Sequence, residues 1–198
     1  MVDSIAIKLG APSEKQKEFL TATNKYVAYG GCRGGGKAWV LKTAAIVLAA
    51  NHAGIEILVV GKNYRKMKER IIDPILRMLP KDSYTYEATK DVLTFYNKSR
   101  IRFCSATGYQ LDGLRVDAAF FYGAENFSEV EFRFITRRVA GASDFPKRVY
   151  LTWDHSCNPD AIWTKRLFVD RKFRAGENPD DYLFVNPMSA DLAEKQEG

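Results

Sequence analysis

A glycine-rich run between two apolar segments is the feature that most restricts how this chain can fold. Residues 26–29 (YVAY) have the composition of a short strand, and residues 38–50 are apolar on nearly every side, as in a buried helix. Between them the sequence GCRGGGK, residues 31–37, has the spacing G-x-x-x-x-G-K. A strand, a glycine-rich turn and a helix in this order predict a loop whose backbone N–H groups surround an anion at the N-terminus of the helix.

A loop of this kind binds the phosphate groups of a nucleotide, and its lysine, here Lys37, reaches the terminal phosphates. An ordinary glycine-rich turn is the alternative, but the strand and the helix on either side favour the phosphate loop. The ligand predicted for the loop is a nucleotide. The residues predicted to contact it are Gly31, Cys32, Arg33, Gly34, Gly35, Gly36, Lys37 and Ala38.

Strand and helix patterns alternate along the rest of the chain. Apolar runs of strand length occur at residues 55–60, 118–122 and 149–152. Amphipathic patterns predict helices at residues 63–79, interrupted near Pro74, and at residues 160–173.

Local signals define two helix starts and one hairpin. Ser13 with Gln16, and Ser128 with Glu131, have the spacing of a capping box, in which two side chains satisfy the free N–H groups of a helix start. The strand patterns 92–96 and 100–104 flank a three-residue turn, which predicts a β-hairpin. The whole pattern predicts an α/β fold in three layers, a P-loop NTPase fold of the RecA or ASCE type, with a mostly parallel central sheet and a hairpin excursion.

Size and composition predict one domain. The 198 residues can bury one good core, and we expect it to span residues 1–175, with 176–198 as a polar tail or the start of a linker. No apolar run approaches the roughly 20 residues of a membrane helix, and no signal peptide pattern is present, so we expect a soluble intracellular protein without a membrane partner. The three cysteines, Cys32, Cys104 and Cys157, are interpreted as reduced and structural.

The charge balance permits a polyanionic partner. Lysine and arginine exceed aspartate and glutamate by 30 to 24, which gives a net charge of +6. The basic residues concentrate at 62–77 and 165–174, where they form either a binding surface or simply solvated helix faces.

Two parts of the usual magnesium site are absent from the sequence. Ala38 stands where a Ser or Thr hydroxyl normally binds the ion, and the strand at 118–121 runs into Tyr122-Gly123, where an acidic pair normally binds the metal and activates water. No metal ligand is therefore assigned. Glu125 is a candidate catalytic carboxylate if the loop is shifted, although helix capping or solvent exposure is the favoured interpretation. Asp117 lies at the opposite end of the strand and is expected to be distant from the site.

Beyond these motifs the order of the segments resembles the ATPase domain of the large terminase subunit of tailed phages, over residues 11–172. The segments that carry the resemblance are 12–16 (PSEKQ), 29–37 (YGGCRGGGK), 93–103 (LTFYNKSRIRF), 113–117 (GLRVD) and 163–170 (WTKRLFVD).

The resemblance implies roles for several residues. Gln16 would recognise adenine, although it could act only in its capping box, and Arg33 would stabilise charge on the transferred phosphoryl group, although it could be an exposed loop arginine. A Ser/Thr-containing coupling segment would follow the next strand, and 152–154 (TWD) and 156–158 (SCN) both fit it. An arginine supplied by a neighbouring subunit could be Arg137 or Arg138, although solvated helix ends are the favoured interpretation of these two residues.

The resemblance also implies a setting. It predicts a motor domain that uses ATP and Mg²⁺ to translocate double-stranded DNA into a procapsid, as a homo-oligomeric ring working with a portal ring and a small terminase subunit in the host cytoplasm. The second, nuclease domain of the family is not expected in this chain. Because the metal ligands are missing, hydrolysis is expected to be weak or absent. The alternatives are a non-hydrolysing P-loop binding or assembly module, and another P-loop class such as a helicase or kinase, which the hairpin and residues 113–117 disfavour.

Overall fold

A computed structural model describes residues 9–31, 34–105, 111–154 and 162–187 of the chain. Its centre is an eight-stranded sheet in the order β3-β4-β5-β2-β6-β7-β1-β8. The strands are β1 (Tyr26–Gly31), β2 (Glu56–Gly61), β3 (Tyr84–Glu87), β4 (Val92–Phe95), β5 (Arg100–Ser105), β6 (Ala118–Tyr122), β7 (Arg148–Asp154) and β8 (Tyr182–Val185). The strands from β5 to β8 in this order are mutually parallel, whereas β3, β4 and β5 pair antiparallel. The predicted α/β fold and its hairpin are confirmed.

The helices cover both faces of the sheet. They are α1 (Glu14–Thr21), α2 (Lys37–Asn51), α3 (Tyr64–Met67), α4 (Asp73–Met78), α5 (Glu129–Thr136) and α6 (Ile162–Thr164), and π-helical turns follow α3 at Lys68–Ile72 and α6 at Lys165–Val169. Alternate residues of each strand point to opposite faces, so Val27 packs with α1 to α4 while Ala28 packs with α5 and α6. Two apolar cores therefore enclose the sheet and make three layers.

The local signals of the sequence correspond to real helix starts. Both capping boxes are formed: Ser13 caps α1 with Gln16, and Ser128 caps α5 with Glu131. The pattern at 63–79 is helical but interrupted, since a π-helical turn separates α3 from α4 just before Pro74. Pro74 has no N–H to donate to the preceding turn, and the change of helix type accommodates that loss.

Three features differ from the sequence patterns. The helix predicted for 160–173 ends at Val169, and residues 160 and 161 lie outside the described residues. Edge strand β3 has the sequence YTYE, which contains no apolar run that would predict a strand. In the structure its residues alternate between half-buried and exposed. Strand β8 lies within the segment interpreted as a tail, and it pairs in parallel with β1. Among the described residues no helix is long and apolar enough to cross a membrane, and Cys104 is a free thiol buried in β5.

A cluster of charged side chains fastens the segment before β8 to the helices behind the sheet. The Glu177 carboxylate, only 6% exposed, accepts hydrogen bonds from the guanidinium groups of Arg166 and Arg133 and from the backbone N–H of Arg174. Glu129 accepts hydrogen bonds from the side chains of all three arginines. The hydrogen bonds from Arg166, against the opposing effect of burial, lower the pKa of Glu177 from 4.5 to about 2.

Because the pKa of Glu177 is lower in the folded chain than in the unfolded one, its contribution to stability is present above pH 4.5 and is lost as the pH falls towards 2. A shift of this size corresponds to roughly 3 kcal/mol. We expect Glu177→Gln to lower the free energy of unfolding at pH 7, and the difference from the unmodified chain to shrink at pH 2. Urea unfolding at both pH values measures this, with the exposed Glu87→Gln as the control. A difference that is the same at both pH values would contradict the assignment.

Candidate functional site

The glycine-rich loop lies where the sequence places it, between the end of a central strand and the start of a helix. β1 ends at Gly31, and α2 begins at Lys37 with Gly36 as its N-cap. The Tyr29 hydroxyl donates a hydrogen bond of 2.9 Å to the carbonyl of Gly35, which ties the loop back to its own strand. Gly36 has a φ of +72°, which favours glycine. Cys32 and Arg33, both predicted to contact ATP, lie outside the described residues.

Gln16 packs directly against this loop. Its Oε1 accepts the backbone N–H of Ser13 at 2.9 Å, which completes the capping box. Its Nε2 lies on the other side of the amide, against Gly36, and a Cβ at position 36 would approach this atom to 2.5 Å. The capping role is therefore confirmed, and the same side chain lies next to the glycine-rich loop. Its predicted contact with adenine stays a prediction.

An open pocket of about 630 Å³ lies in front of the loop, at the carboxyl ends of the parallel strands. This is the edge of an open α/β sheet at which ligands usually bind. The walls come from the loop with the start of α2, from the ends of β6 and β7, and from the segment that joins β2 to the helical residues behind it. The lining residues are Gly34, Gly35, Gly36, Lys37, Ala38, Trp39, Lys62, Asn63, Lys66, Arg70, Tyr122, Gly123, Glu125, Asn126, Thr152, Trp153 and Asp154.

Lys37 is already paired with a carboxylate in this pocket. Its Nζ lies 2.7 Å from Oδ1 of Asp154, and its side chain is only 14% exposed. Asp154 is the last residue of β7, and Gly31, at the start of the loop, is its partner in the register between β1 and β7. Because β7 lies between β1 and β6, it brings this carboxylate to the middle of the pocket. The sequence suggested Asp154 only as part of a coupling segment; the rival segment 156–158 lies outside the described residues.

The positions that normally bind magnesium are occupied by groups that cannot do so. Ala38 contributes a methyl group to the pocket, and β6 delivers Tyr122 and Gly123. Burial raises the pKa of the Tyr122 phenol, although the neighbouring Arg70 opposes the shift, so the phenol stays neutral at physiological pH. Among the residues that the structure describes, no group of three or more His, Cys, Asp and Glu side chains could hold a metal ion.

The carboxylate of Glu125 lies close to the place that a side chain at position 123 would occupy. Gly123 has a φ of +73°, and a Cβ on it would lie 3.2 Å from Glu125 Oε1. The other oxygen, Oε2, accepts the backbone N–H of Asp154 at 3.1 Å, and Asn126 donates to Oε1 at 3.1 Å. Burial, with a smaller contribution from the charge of Asp154, raises the pKa of Glu125. Plain solvent exposure is wrong, because Glu125 is half-buried and lines the pocket. The residue also lies in the first turn of the short 3-10 helix Ala124–Asn126, which agrees with the capping interpretation, and its catalytic role stays a prediction.

Asp117 is distant from the site, as expected. It precedes β6 at the opposite edge of the sheet, where its buried carboxylate accepts a hydrogen bond of 2.6 Å from Lys147 and one of 2.9 Å from the backbone N–H of Glu56. Burial alone would raise the pKa of Asp117, but these hydrogen bonds outweigh it and lower the pKa. Asp117 therefore stabilises the fold.

The two basic segments differ in how far their charges are neutralised. In the segment 165–174, Arg166 pairs with the carboxylates of Glu129 and Glu177. Arg174 pairs with Glu129 alone, so much of the positive charge of this segment is compensated. In the segment 62–77, Lys66 and Arg70 line the pocket instead. Of the two arginines that could serve a neighbouring subunit, Arg138 contacts Asp112 and the ring of Phe134, and Arg137 is exposed.

Comparison with solved structures identifies the fold. The chain superposes on the large terminase of a thermophilic bacteriophage in complex with ATP-gamma-S with a TM-score of 0.68, at 15% identity, over 93% of this chain and 48% of that one. The large terminase of bacteriophage HK97 gives 0.66 at 14% identity, over 98% and 44%. The large terminase ATPase domain of Thermus phage P74-26 gives 0.62 at 14% identity, over 89% and 80%. No protein-family model and no curated protein matches the sequence.

The chain thus has the fold of the ATPase domains of phage large terminases, and it spans about half the length of the first two of these proteins. At these identities the similarity concerns the fold alone. What the site does must be argued from its own residues.

Proposed function

We propose that this chain is the ATPase domain of a viral DNA-packaging terminase, that it binds ATP in the pocket before the glycine-rich loop, and that its hydrolytic step is impaired. The observation that carries the proposal is the position of Lys37, in the first turn of α2, where it lines the pocket together with Gly34, Gly35 and Gly36 of the loop. The N-terminus of a helix and a lysine together favour phosphate oxygens.

Binding of a triphosphate would exchange the partner of Lys37. In this structure the ammonium group is neutralised by Asp154, 2.7 Å away. Phosphate oxygens carry more charge than one carboxylate, so they would take over Lys37 and leave Asp154 to interact with water or with the loop. Asp154 ends β7, and its backbone N–H donates a hydrogen bond to Glu125. A change of partner at the Asp154 side chain would therefore alter the position of the Glu125 carboxylate. This connection makes the segment 152–154 the better candidate for coupling.

Glu125 is the described carboxylate best placed to orient an attacking water. It lies next to the place where a side chain at Gly123 would stand, and there the terminase resemblance expects the second acid. Its raised pKa makes it a stronger base once ionised than an exposed glutamate. In the proposal Glu125 and Arg33 are the catalytic residues, Gln16 contacts adenine, and residues 31–38 contact the phosphates.

The residues present do not fit a magnesium ion at its usual place. A hydroxyl and a carboxylate are needed there, but the positions hold Ala38 and a neutral Tyr122. Magnesium normally offsets the charge of the β- and γ-phosphates, and the residues at this site do not supply its usual ligands. Slow or absent turnover is the expected consequence.

Double-stranded DNA is the proposed partner of the assembled protein, with a portal ring and a terminase small subunit as further partners and a homo-oligomeric ring as the working form. The net charge of +6 supports contact with the phosphate backbone. Such binding would not depend on DNA sequence and would weaken steeply as salt is added, because each neutralised phosphate releases counterions.

Isothermal titration with ATP tests the proposal. We expect the unmodified chain to bind, and Lys37→Ala to raise the Kd at least about tenfold, because a charged hydrogen bond to phosphate is lost. Lys17→Ala, an exposed lysine on α1, serves as the control and should bind like the unmodified chain. Equal affinity of Lys37→Ala and the unmodified chain would contradict the assignment of the loop.

The second candidate function is a P-loop module that binds nucleotide or assembles without turnover. Ala38 and Tyr122 favour it, because they remove the usual metal ligands. In a steady-state assay of phosphate release, turnover that Lys37→Ala abolishes contradicts the module. Absence of turnover agrees with both candidates, and binding of double-stranded DNA that weakens with added salt then supports the motor domain.

A further inference from the structure

Two cationic side chains form the wall of the pocket opposite the glycine-rich loop. Lys66 in α3 and Arg70 in the π-helical turn that follows both line the cavity. Each immediately precedes a fully buried apolar residue, Met67 and Ile71 respectively, so the packing of the helical segment against the core fixes which way the two cations face. Met67 also packs on Gly61 at the end of β2, where a Cβ would approach its sulfur to 3.3 Å, and this contact holds the segment close to the pocket.

These two cations differ from three other basic side chains of the segment 62–77, and Arg77, which is exposed, does not line the pocket. Lys62 pairs with Glu131, Arg65 with Glu69 and Lys68 with Asp73. Within the described part of the chain, neither Lys66 nor Arg70 has a carboxylate at ion-pair distance. The pocket also holds the carboxylates of Glu125 and Asp154, but neither of them pairs with Lys66 or Arg70, and two unpaired positive charges on a concave surface attract an anion.

The order of the strands places these cations at the terminal-phosphate end of a bound nucleotide. Along the pocket the strand ends follow the order β1, β7, β6, β2, and Gln16 with the glycine-rich loop lies at the β1 end. Lys66 and Arg70 follow β2 at the other end. A nucleotide whose base lies near Gln16 therefore extends its last phosphate towards them.

Arg70 also lies near the position from which the usual metal ligand is missing. Its charge acts on Tyr122, the residue at which β6 would otherwise supply the first acid. A neutral phenol does not compensate a guanidinium group, so the positive charge remains available beside the usual metal position.

We propose that Lys66 and Arg70 bind the terminal phosphate of a nucleoside triphosphate and supply the positive charge that magnesium supplies elsewhere, so that this site takes the metal-free nucleotide. The inference rests on the proposed nucleotide binding and adds its ionic form and two further binding residues. Two cations match the charge of one divalent ion, and they need neither the hydroxyl missing at Ala38 nor the acid missing at Tyr122.

Isothermal titration of the whole chain with ATP, ADP and inorganic tripolyphosphate, each in excess magnesium and in EDTA, tests the inference. For the unmodified chain we expect ATP and tripolyphosphate to bind in EDTA at least as tightly as in magnesium. In the double variant Lys66→Gln with Arg70→Gln we expect the Kd for ATP in EDTA to rise at least about tenfold. The loss should be smaller for ADP, which lacks the terminal phosphate, and smaller in magnesium, where the metal restores the charge.

Arg65→Gln is the matched control, since this arginine belongs to the same helical segment but is exposed and paired with Glu69. It should bind like the unmodified chain, and all variants should keep the melting temperature of the unmodified chain because the exchanged side chains are exposed. The inference is overturned if the unmodified chain binds ATP only with magnesium, or if the double variant binds ATP in EDTA as the unmodified chain does. If no condition gives binding, the proposed nucleotide site fails as well, whereas binding that depends on Lys37 and magnesium but not on Arg70 leaves that site intact.

Discussion

The double substitution Ala38→Ser with Tyr122→Asp should make ATP turnover depend on magnesium and raise it at least about a hundredfold over the unmodified chain. The serine returns the hydroxyl at the start of α2, and the aspartate returns a carboxylate at the end of β6, so a magnesium ion would again have two protein ligands in addition to phosphate oxygens. Phosphate release at steady state, with magnesium and with EDTA, measures the effect.

Position 123 should be left as glycine in this experiment. Gly123 has a φ of +73°, and a Cβ on it would lie 2.9 Å from Asn126 Nδ2 and 3.2 Å from Glu125 Oε1. A glutamate there would be strained and would displace the carboxylate that the proposal uses as its base. Because Arg70 lies near position 122 and would pair with a new aspartate, the variant should also be made with Arg70→Gln, which leaves the aspartate to the metal.

Glu125→Gln on the restored background separates the metal from the base. It should remove the gained turnover while magnesium-dependent ATP binding remains, since the amide cannot accept the proton of water. Restored variants that gain neither magnesium dependence in binding nor turnover would show that Ala38 and Tyr122 are not the positions that a metal would use.

Gly141→Ala should destabilise the fold by about 3 kcal/mol or more. A Cβ at this position would lie 2.2 Å from Oδ1 of Asp117 and 2.9 Å from the backbone carbon of Val116. Asp117 cannot move away without breaking its buried contacts with Lys147 and with the backbone N–H of Glu56. The substitution therefore forces either a broken buried ion pair or a displaced strand.

Urea unfolding at neutral pH measures this loss. The neighbouring Ala140→Ser, at an exposed position, is the control and should unfold like the unmodified chain. The cost of Gly141→Ala should be smaller in an Asp117→Ala background, because one of the clashing groups is then absent. Equal stability of Gly141→Ala and the unmodified chain would contradict the packing around Asp117.

Much of the fold was predictable because its signals are local. The spacing of the glycine-rich loop, the capping boxes of Ser13 and Ser128 and the hairpin turn all act over three to seven residues, and each is present in the structure. Edge strand β3 and strand β8 were not predicted. Strand β3 is only four residues long and has no apolar run, and β8 is a short apolar stretch within a polar segment that becomes a strand by pairing with β1.

The residues of the site also fall into those that local sequence signals identify and those that only the order of the strands brings together. Lys37 and its glycines are recognisable from spacing, whereas the pairing of Lys37 with Asp154, 117 positions later, depends on β7 lying next to β1. For Glu125 the sequence favours capping or solvent exposure. The structure places it in the first turn of a short 3-10 helix and also in the pocket wall, where it accepts the backbone N–H of Asp154, a contact between two strand ends that no local signal predicts.

The amino-acid sequence by itself determined that a glycine-rich loop precedes a helix, that the sheet beside it is mostly parallel, and that Ala38, Tyr122 and Gly123 stand where magnesium ligands and a catalytic acid are usual. Only the tertiary structure decided which charged groups lie in the pocket and what they contact. Asp154 pairs with Lys37, the carboxylate of Glu125 lies beside Gly123, and the guanidinium group of Arg70 lies near the phenol of Tyr122. The physical reason is the distance along the chain over which each kind of interaction acts. Backbone conformation responds to neighbours a few residues away, while the electrostatics of a pocket depend on which strand ends the order of the sheet brings side by side.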